Sequence, residues 1–267
     1  MNSNSRRISR RDFLIRTALF TAGTCTGTGL VLKPFARALD RLAAGEPAPR
    51  IAFILDDVGF NVERLQPFLD LKAPITYAVL PHMQYSRSLA EKIHASGHEV
   101  MLHQPMEPYN RDLNPGPGAL YLAQSSSVME QILQGNLENF SHAAGFNNHM
   151  GSRFTESRPK MQLALSFFQE REFYFIDSCT SQHSVGFETA WAMNMTAAHS
   201  NEFIDNTRTV PAVYGQLVRL KAHALKNGCA IGIGHPWPET AQGLRQFLQE
   251  LRGSNFSLVY ASQIACV

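Results

Sequence analysis

The feature that most constrains this chain is a regular alternation of two patterns. From Ile51 onward, short apolar runs alternate with stretches of helical periodicity: IAFIL then VERLQPFLDL, ITYAVL then SRSLAEKIHAS, HEVML then SVMEQILQGNLENF, FNNHM then RPKMQLALSFFQE. The alternation continues through FYFID, VGFETAWAM, MTAAHS, PAVYGQLVRLKAHALKN, AIGIG and ETAQGLRQFLQEL, and ends on FSLVY. Strands separated by helices cannot pair as hairpins. They pair in parallel, each helix serving as a right-handed crossover. About seven or eight such units predict an α/β protein with a single (β/α) barrel, and a doubly wound open sheet is the competing arrangement.

Polar residues cluster where the apolar runs end. Asp56 and Asp57 follow IAFIL, His103 follows HEVML, Asn147, Asn148 and His149 lie in the fourth run, Asp177 follows FYFI, and His235 follows IGIG. The C-terminal strand ends of a parallel barrel share one face, and sites are built on that face. Successive strand residues point to opposite sides, so the Asp56-Asp57 pair is an unusual way to end a buried strand. One reading is a cap for the next helix. The other places one acid on a metal and uses its neighbour as a base.

The N-terminus belongs to a different class of sequence. Ser9-Arg10-Arg11-Asp12-Phe13-Leu14 precedes a short threonine- and glycine-rich apolar run, and Ala36 and Ala38 offer small residues for cleavage. Residues 1–38 are therefore expected to be a twin-arginine-type signal peptide that engages the twin-arginine export machinery and leaves a periplasmic or otherwise extracytoplasmic chain without a stable membrane span. The leader carries seven of the 24 basic residues and one of the 22 acids, leaving 17 against 21. The basic balance disappears with it, and so does the electrostatic case for nucleic acid. Cys179, Cys229 and Cys266 are too few and too scattered for a disulfide framework or a cysteine-rich zinc site, and their pairing stays open.

Among the histidines, His98 begins its strand, far from the C-terminal mouth, and reads as structural, whereas His103 and His149 share the mouth with the acids. Should Asp57, His103 and His149 converge, one carboxylate and two imidazoles would leave open positions on a divalent metal. That is the pattern of a hydrolytic site, with Asp56 available as base towards a water.

IAFILDDVGF resembles the first motif of the polysaccharide deacetylase (NodB-like) superfamily, and GHEVMLHQPMEP resembles the second. Taken jointly, DDVG, HQPMEP, PGPGAL, NNHMGS and GHP are similar to the divergent polysaccharide deacetylase branch over residues 48–265. The resemblance implies a distorted (β/α)7-8 barrel acting as a catalytic domain, with a divalent metal, most naturally Zn2+. It makes Asp56 the catalytic base, and Asp57, His103 and His149 the metal ligands. Glu107 stands where the second motif has a further histidine in ordinary members. The resemblance also implies His235 as general acid; Arg153 either corresponds to the arginine that orients Asp56 or forms a surface ion pair, and a nearby carboxylate such as Asp177 would favour the His235 imidazolium. Glu107, Asn147 and Asn148 are expected to line the substrate cleft, and PGPGAL reads as a rigid loop beside it, since its prolines lack N–H donors.

The expected activity is exported, metal-dependent removal of an acyl group, such as acetyl, from an amide or ester of a glycan. The rival is a non-catalytic glycan-binding or envelope-assembly protein on the same barrel. A sugar-phosphate enzyme is disfavoured, because no glycine-rich phosphate loop follows a late strand.

Overall fold

The structure is a computed structural model that describes residues 47–138, 140 and 142–266. The leader expected at residues 1–38 lies outside the described residues. In chain order the elements are β1 (Arg50–Val58), α1 (Gln66–Leu69), β2 (Thr76–Val79), α2 (Ser86–Ala95), β3 (Glu99–Met106), α3 (Ser126–Leu137), β4 (Ala143–Met150) and α4 (Arg158–Gln169). They continue with β5 (Tyr174–Asp177), α5 (Gly186–Ala192), β6 (Ala197–His199), β7 (Glu202–Phe203), α6 (Val210–Asn227), β8 (Cys229–Gly234), α7 (Pro238–Leu251) and β9 (Ser257–Val259).

The strands form one sheet in the order β6-β5-β4-β3-β2-β1-β8-β7, with β9 also paired to β1. All of these pairings are parallel. The two end strands are successive pieces of one segment: β6 pairs with β5, and after Ser200 and Asn201 the same backbone pairs with β8 as β7. The sheet therefore curls until its ends meet in a single stretch of chain, the distorted barrel expected from the strand–helix alternation.

Each strand sorts its side chains by period two. In β1, Ile51, Phe53 and Leu55 join the layer between sheet and helices, while Ala52 and Ile54 fill the barrel interior. The interior set also takes Ala78, Met101, Tyr174, Ile176, Ile231 and Ile233. Its lower end is completed by Ala261 and Ile264 from the C-terminal segment, whose Cys266 bridges Ala197 at the start of β6. The longest helix among the described residues, α6, shows how local sequence sets boundaries. Thr209 accepts from Ala212 N at its start, Pro211 occupies its first turn, and Gly228 ends it at φ 85°, a left-handed value that glycine adopts without a Cβ penalty. The helix expected over VERLQPFLDL is confined to α1, because Asn61 ties up the preceding turn by accepting from Glu63 N and Arg64 N.

Candidate active site

The interior face of the barrel continues into its mouth. Ala52 and Ile54 are followed on the same face by Asp56, Met101 by His103, and Ile231 and Ile233 by His235. In β4, Phe146 packs outward, so Asn147 and His149 fall on the inner face.

Asp57 breaks the alternation. Strict pleating would send it to the helix side after Phe53 and Leu55, but its φ is 57°, and the pairing register with β2 shifts between Leu55 and Val58. A left-handed residue with a side chain costs roughly 1–3 kcal/mol. Here it brings both carboxylates of the pair into the mouth, where Asp57 meets His103, His149 and His235.

Three lone-pair atoms converge there. Asp57 Oδ1 lies 3.2 Å from His103 Nε2 and 3.0 Å from His149 Nδ1, and those two nitrogens are 3.1 Å apart. Although both rings are within ion-pair range, neither is aligned to donate, and Asp57 Oδ1 remains a buried acceptor without a hydrogen bond. A divalent cation fits this arrangement. Ligand atoms about 2.0–2.2 Å from a tetrahedral zinc sit roughly 3.3 Å from one another, and one carboxylate with two imidazoles is a donor set that leaves a position open. These same three residues form a candidate metal cluster among the described residues.

Asn147 organises the floor of this cluster. Its Nδ2 donates to Asp56 Oδ1 (2.8 Å), and its Oδ1 faces His103 Nδ1 (2.7 Å). The carboxylate sets the amide's orientation, the amide oxygen then accepts the Nδ1 proton, and the His103 Nε2 lone pair is left for the cluster. Burial pushes the Asp56 carboxyl above its ordinary value, against the lowering pull of His103, His235 and Asn147. Burial also opposes charge on Asp57, but the adjacent His103 and His149 outweigh it and hold that carboxyl well below the usual range. The two acids are thus driven apart, one towards a proton acceptor and the other towards a permanent anion.

His235 faces the cluster from β8, its Nε2 3.8 Å from Asp57 Oδ2. Its Nδ1 lies 2.9 Å from Asp205 Oδ1, while its backbone N and Thr240 Oγ1 donate to Asp205 Oδ2 at 2.6 and 2.7 Å. Burial works against the imidazolium. The Asp205 carboxylate, helped by Asp56 and Asp57, overcomes that penalty and holds His235 up to about 9.

Several expected roles are not met. Asp177 does not support His235: it lies on the same side of β5 as Phe175, faces the helix layer, and accepts from Cys179 N, Ser184 Oγ and Phe187 N at the start of α5. The supporting acid is Asp205, which sequence reasoning missed. A signal for it existed, because Phe203-Ile204-Asp205 repeats the Phe175-Ile176-Asp177 pattern two strands later. Of the two roles open to Arg153, the structure shows the ion pair and not the orientation of Asp56. Arg153 pairs with Glu107 Oε1 at 2.5 Å, and the charged neighbours acting on Asp56 are His103, His235 and Asp57. Asn147 and Asn148 do not line a cleft, being 0% and 1% exposed; Asn148 bonds Ser178 N, Met150 O and Thr180 Oγ1. Glu107 does line one. With Arg153, Asn110, Tyr121 and Leu122 it borders a cavity of about 680 Å³ and also accepts from Leu122 N at 2.7 Å. In PGPGAL, Gly118 O accepts from the Gln104 and Asn136 side chains.

Residues 53–265 match the family described as divergent polysaccharide deacetylase. The chain is 32% identical over 225 residues to the uncharacterized protein YibQ of Escherichia coli K12, covering 84% of this chain and 70% of that one. Among solved structures it is similar to the uncharacterized protein ATU2773 from Agrobacterium tumefaciens C58, with a TM-score of 0.78 at 22% identity over 82% of this chain and 90% of the other. A CE4 family pseudoenzyme from Bacillus anthracis aligns with a TM-score of 0.50 at 12% identity, over 81% and 65%. Both structural likenesses concern the fold.

Proposed function

This chain belongs to the divergent polysaccharide deacetylase family, and on that footing we propose that it is a metal-dependent hydrolase that removes an acyl group, such as acetyl, from a glycan outside the cytoplasm. The observation that carries the reading is the placement of the Asp57–His103–His149 cluster between a buried acid, Asp56, and a histidine backed by its own carboxylate, His235–Asp205. Pure binding has no use for a proton acceptor and a proton donor on either side of three converging ligand atoms.

Asp57, His103 and His149 would hold the divalent cation, zinc by the chemistry of the donors, and that ion would polarise the acyl carbonyl and lower the pKa of the attacking water. Asp56, raised by burial and steadied by Asn147, takes the proton from that water. His235, kept protonated by Asp205, delivers a proton to the departing amine or alcohol. Asn147 keeps His103 in one tautomer throughout. The Ser9–Leu14 twin-arginine pattern supports an extracytoplasmic place of work.

A non-catalytic barrel is the second reading. It is favoured by Glu107 standing where ordinary deacetylases have a histidine, and by the description of the B. anthracis fold neighbour as a pseudoenzyme. Metal analysis of the protein, joined to acetate release from a panel of N- and O-acetylated glycans, separates the two. The hydrolase reading expects stoichiometric metal and acetate release that stops on chelation. Glycan binding with bound metal and no acetate from any member of the panel would establish the second reading instead.

A further inference from the structure

Two arginines share one indole beside His235. Trp237 follows His235 by two residues, and its backbone N donates to His235 O at 2.8 Å, which holds the Trp237 backbone against the end of the strand that carries His235. The guanidinium carbon of Arg208 lies 3.7 Å from the Trp237 ring centroid, and that of Arg64 lies 4.7 Å from the same ring. Arg64 comes from the loop after β1, Arg208 from the loop after β7, and Trp237 from the loop after β8. All three therefore stand at the C-terminal strand ends, on the same face as Asp57 and His235.

Neither arginine has a carboxylate partner among the described residues, although Glu63 adjoins Arg64 in sequence. Two like charges gathered on one aromatic ring repel each other, and the ring quadrupole offsets only part of that repulsion. The contacts gather both guanidinium groups at one ring, and no carboxylate occupies their N–H groups among the described residues. A planar guanidinium edge suits a carboxylate or phosphate, which it can bind through paired, charge-assisted hydrogen bonds. Both side chains are exposed, so they are accessible to a substrate lying across the mouth.

We propose that Arg64 and Arg208, presented on Trp237, form a subsite for an anionic substituent of the substrate, so that the preferred substrate is an acylated glycan bearing a carboxylate or phosphate next to the acyl group being removed. The inference rests on the hydrolase reading for the word substrate, but its binding component can be read without turnover. The chain has two tryptophans, so Trp191→Phe leaves Trp237 as the single indole reporter.

In that background, fluorescence titration compares three probes: a neutral N-acetylated chitin tetrasaccharide, the same oligomer carrying a carboxylate, and the same oligomer carrying a phosphate monoester. The expected result is roughly tenfold tighter binding of a charged oligomer, weakened by salt and reduced to less than about threefold by Arg64→Gln with Arg208→Gln. The carboxylate and phosphate arms identify which anion is read. Equal affinity for neutral and charged oligomers, no binding of either charged oligomer, or an unchanged preference in the double variant would each overturn the subsite. Acetate release measured on the same oligomers keeps the two readings apart. Charge preference without turnover removes the hydrolase and keeps an anion-reading surface, whereas turnover without charge preference removes the subsite alone.

Discussion

Asp205 holds His235: its Oδ1 lies 2.9 Å from His235 Nδ1, and its Oδ2 accepts the His235 backbone N–H. Because a nearby anion favours the imidazolium, a His235 that acts as proton donor stays competent up to a pH near 9, and activity falls above it. Asp205→Asn removes that anion, lowers the folded-state pKa of His235, and should move the alkaline limb of the pH–rate profile to lower pH, with kcat also reduced. An unmoved alkaline limb in the variant would show that His235 is not the titrating donor.

The adjacent acids of β1 should fail in different ways. Asp57→Asn removes a ligand, so metal content falls, and excess zinc should restore part of the activity by mass action. Asp56→Asn keeps the three ligand atoms and should keep the metal while losing roughly 10²–10⁴-fold in kcat. Metal content and turnover measured on both proteins check this. If both keep full metal and full turnover, the pair serves only to shape the strand end.

Asn147 is expected to behave as a residue of the metal site although it would not touch the ion. Asn147→Leu removes the donor to Asp56 and the acceptor for His103 while roughly keeping the volume. Metal affinity should drop roughly 10–100-fold, the usual effect of removing the partner that orients a histidine ligand. Competition with a chromophoric chelator measures it, and an unchanged dissociation constant would reduce Asn147 to packing.

Gly118 in the PGPGAL loop should not tolerate a side chain. Its φ is 75°, and a Cβ there would lie 2.1 Å from Asn136 Oδ1, within a network that links Gln104 and His82. Gly118→Ala should cost about 1–3 kcal/mol. For a domain of this size that corresponds to roughly 2–4 °C per kcal/mol in Tm, a drop that differential scanning calorimetry resolves.

Most of the barrel was legible in the sequence because a parallel strand buried on both faces and an amphipathic helix leave different periodicities. The pair Asp56-Asp57 with His103, His149 and His235 was legible because each ends an apolar run. What strand-end position alone could not supply was parity. Asp177 and Asn148 end or sit in strands as His103 does, yet they share a face with Phe175 and Phe146 and point away from the mouth. Asp205 has the right parity but follows a two-residue strand, too short to leave a periodic signal. Asp57 runs the other way: parity excludes it, and only its left-handed backbone returns it to the site. Arg153 was beyond any such counting, because its partner Glu107 lies on another strand end and their pairing depends on how two loops pack.

The C-terminal segment has a consequence for biosynthesis. Arg50 of the first strand pairs with Ser257 of the last, and Ala261 and Ile264 complete the lower end of the barrel interior. These contacts join the two extremes of the described chain, and such distant pairings form late in folding. Until this segment docks, the barrel has a mouth but no base. A premature stop codon at Tyr260 would leave every proposed site residue in place, yet remove Ala261 and Ile264 from the barrel's interior cluster. Its product would be recognised by proteases as an unfinished protein rather than as an inactive enzyme.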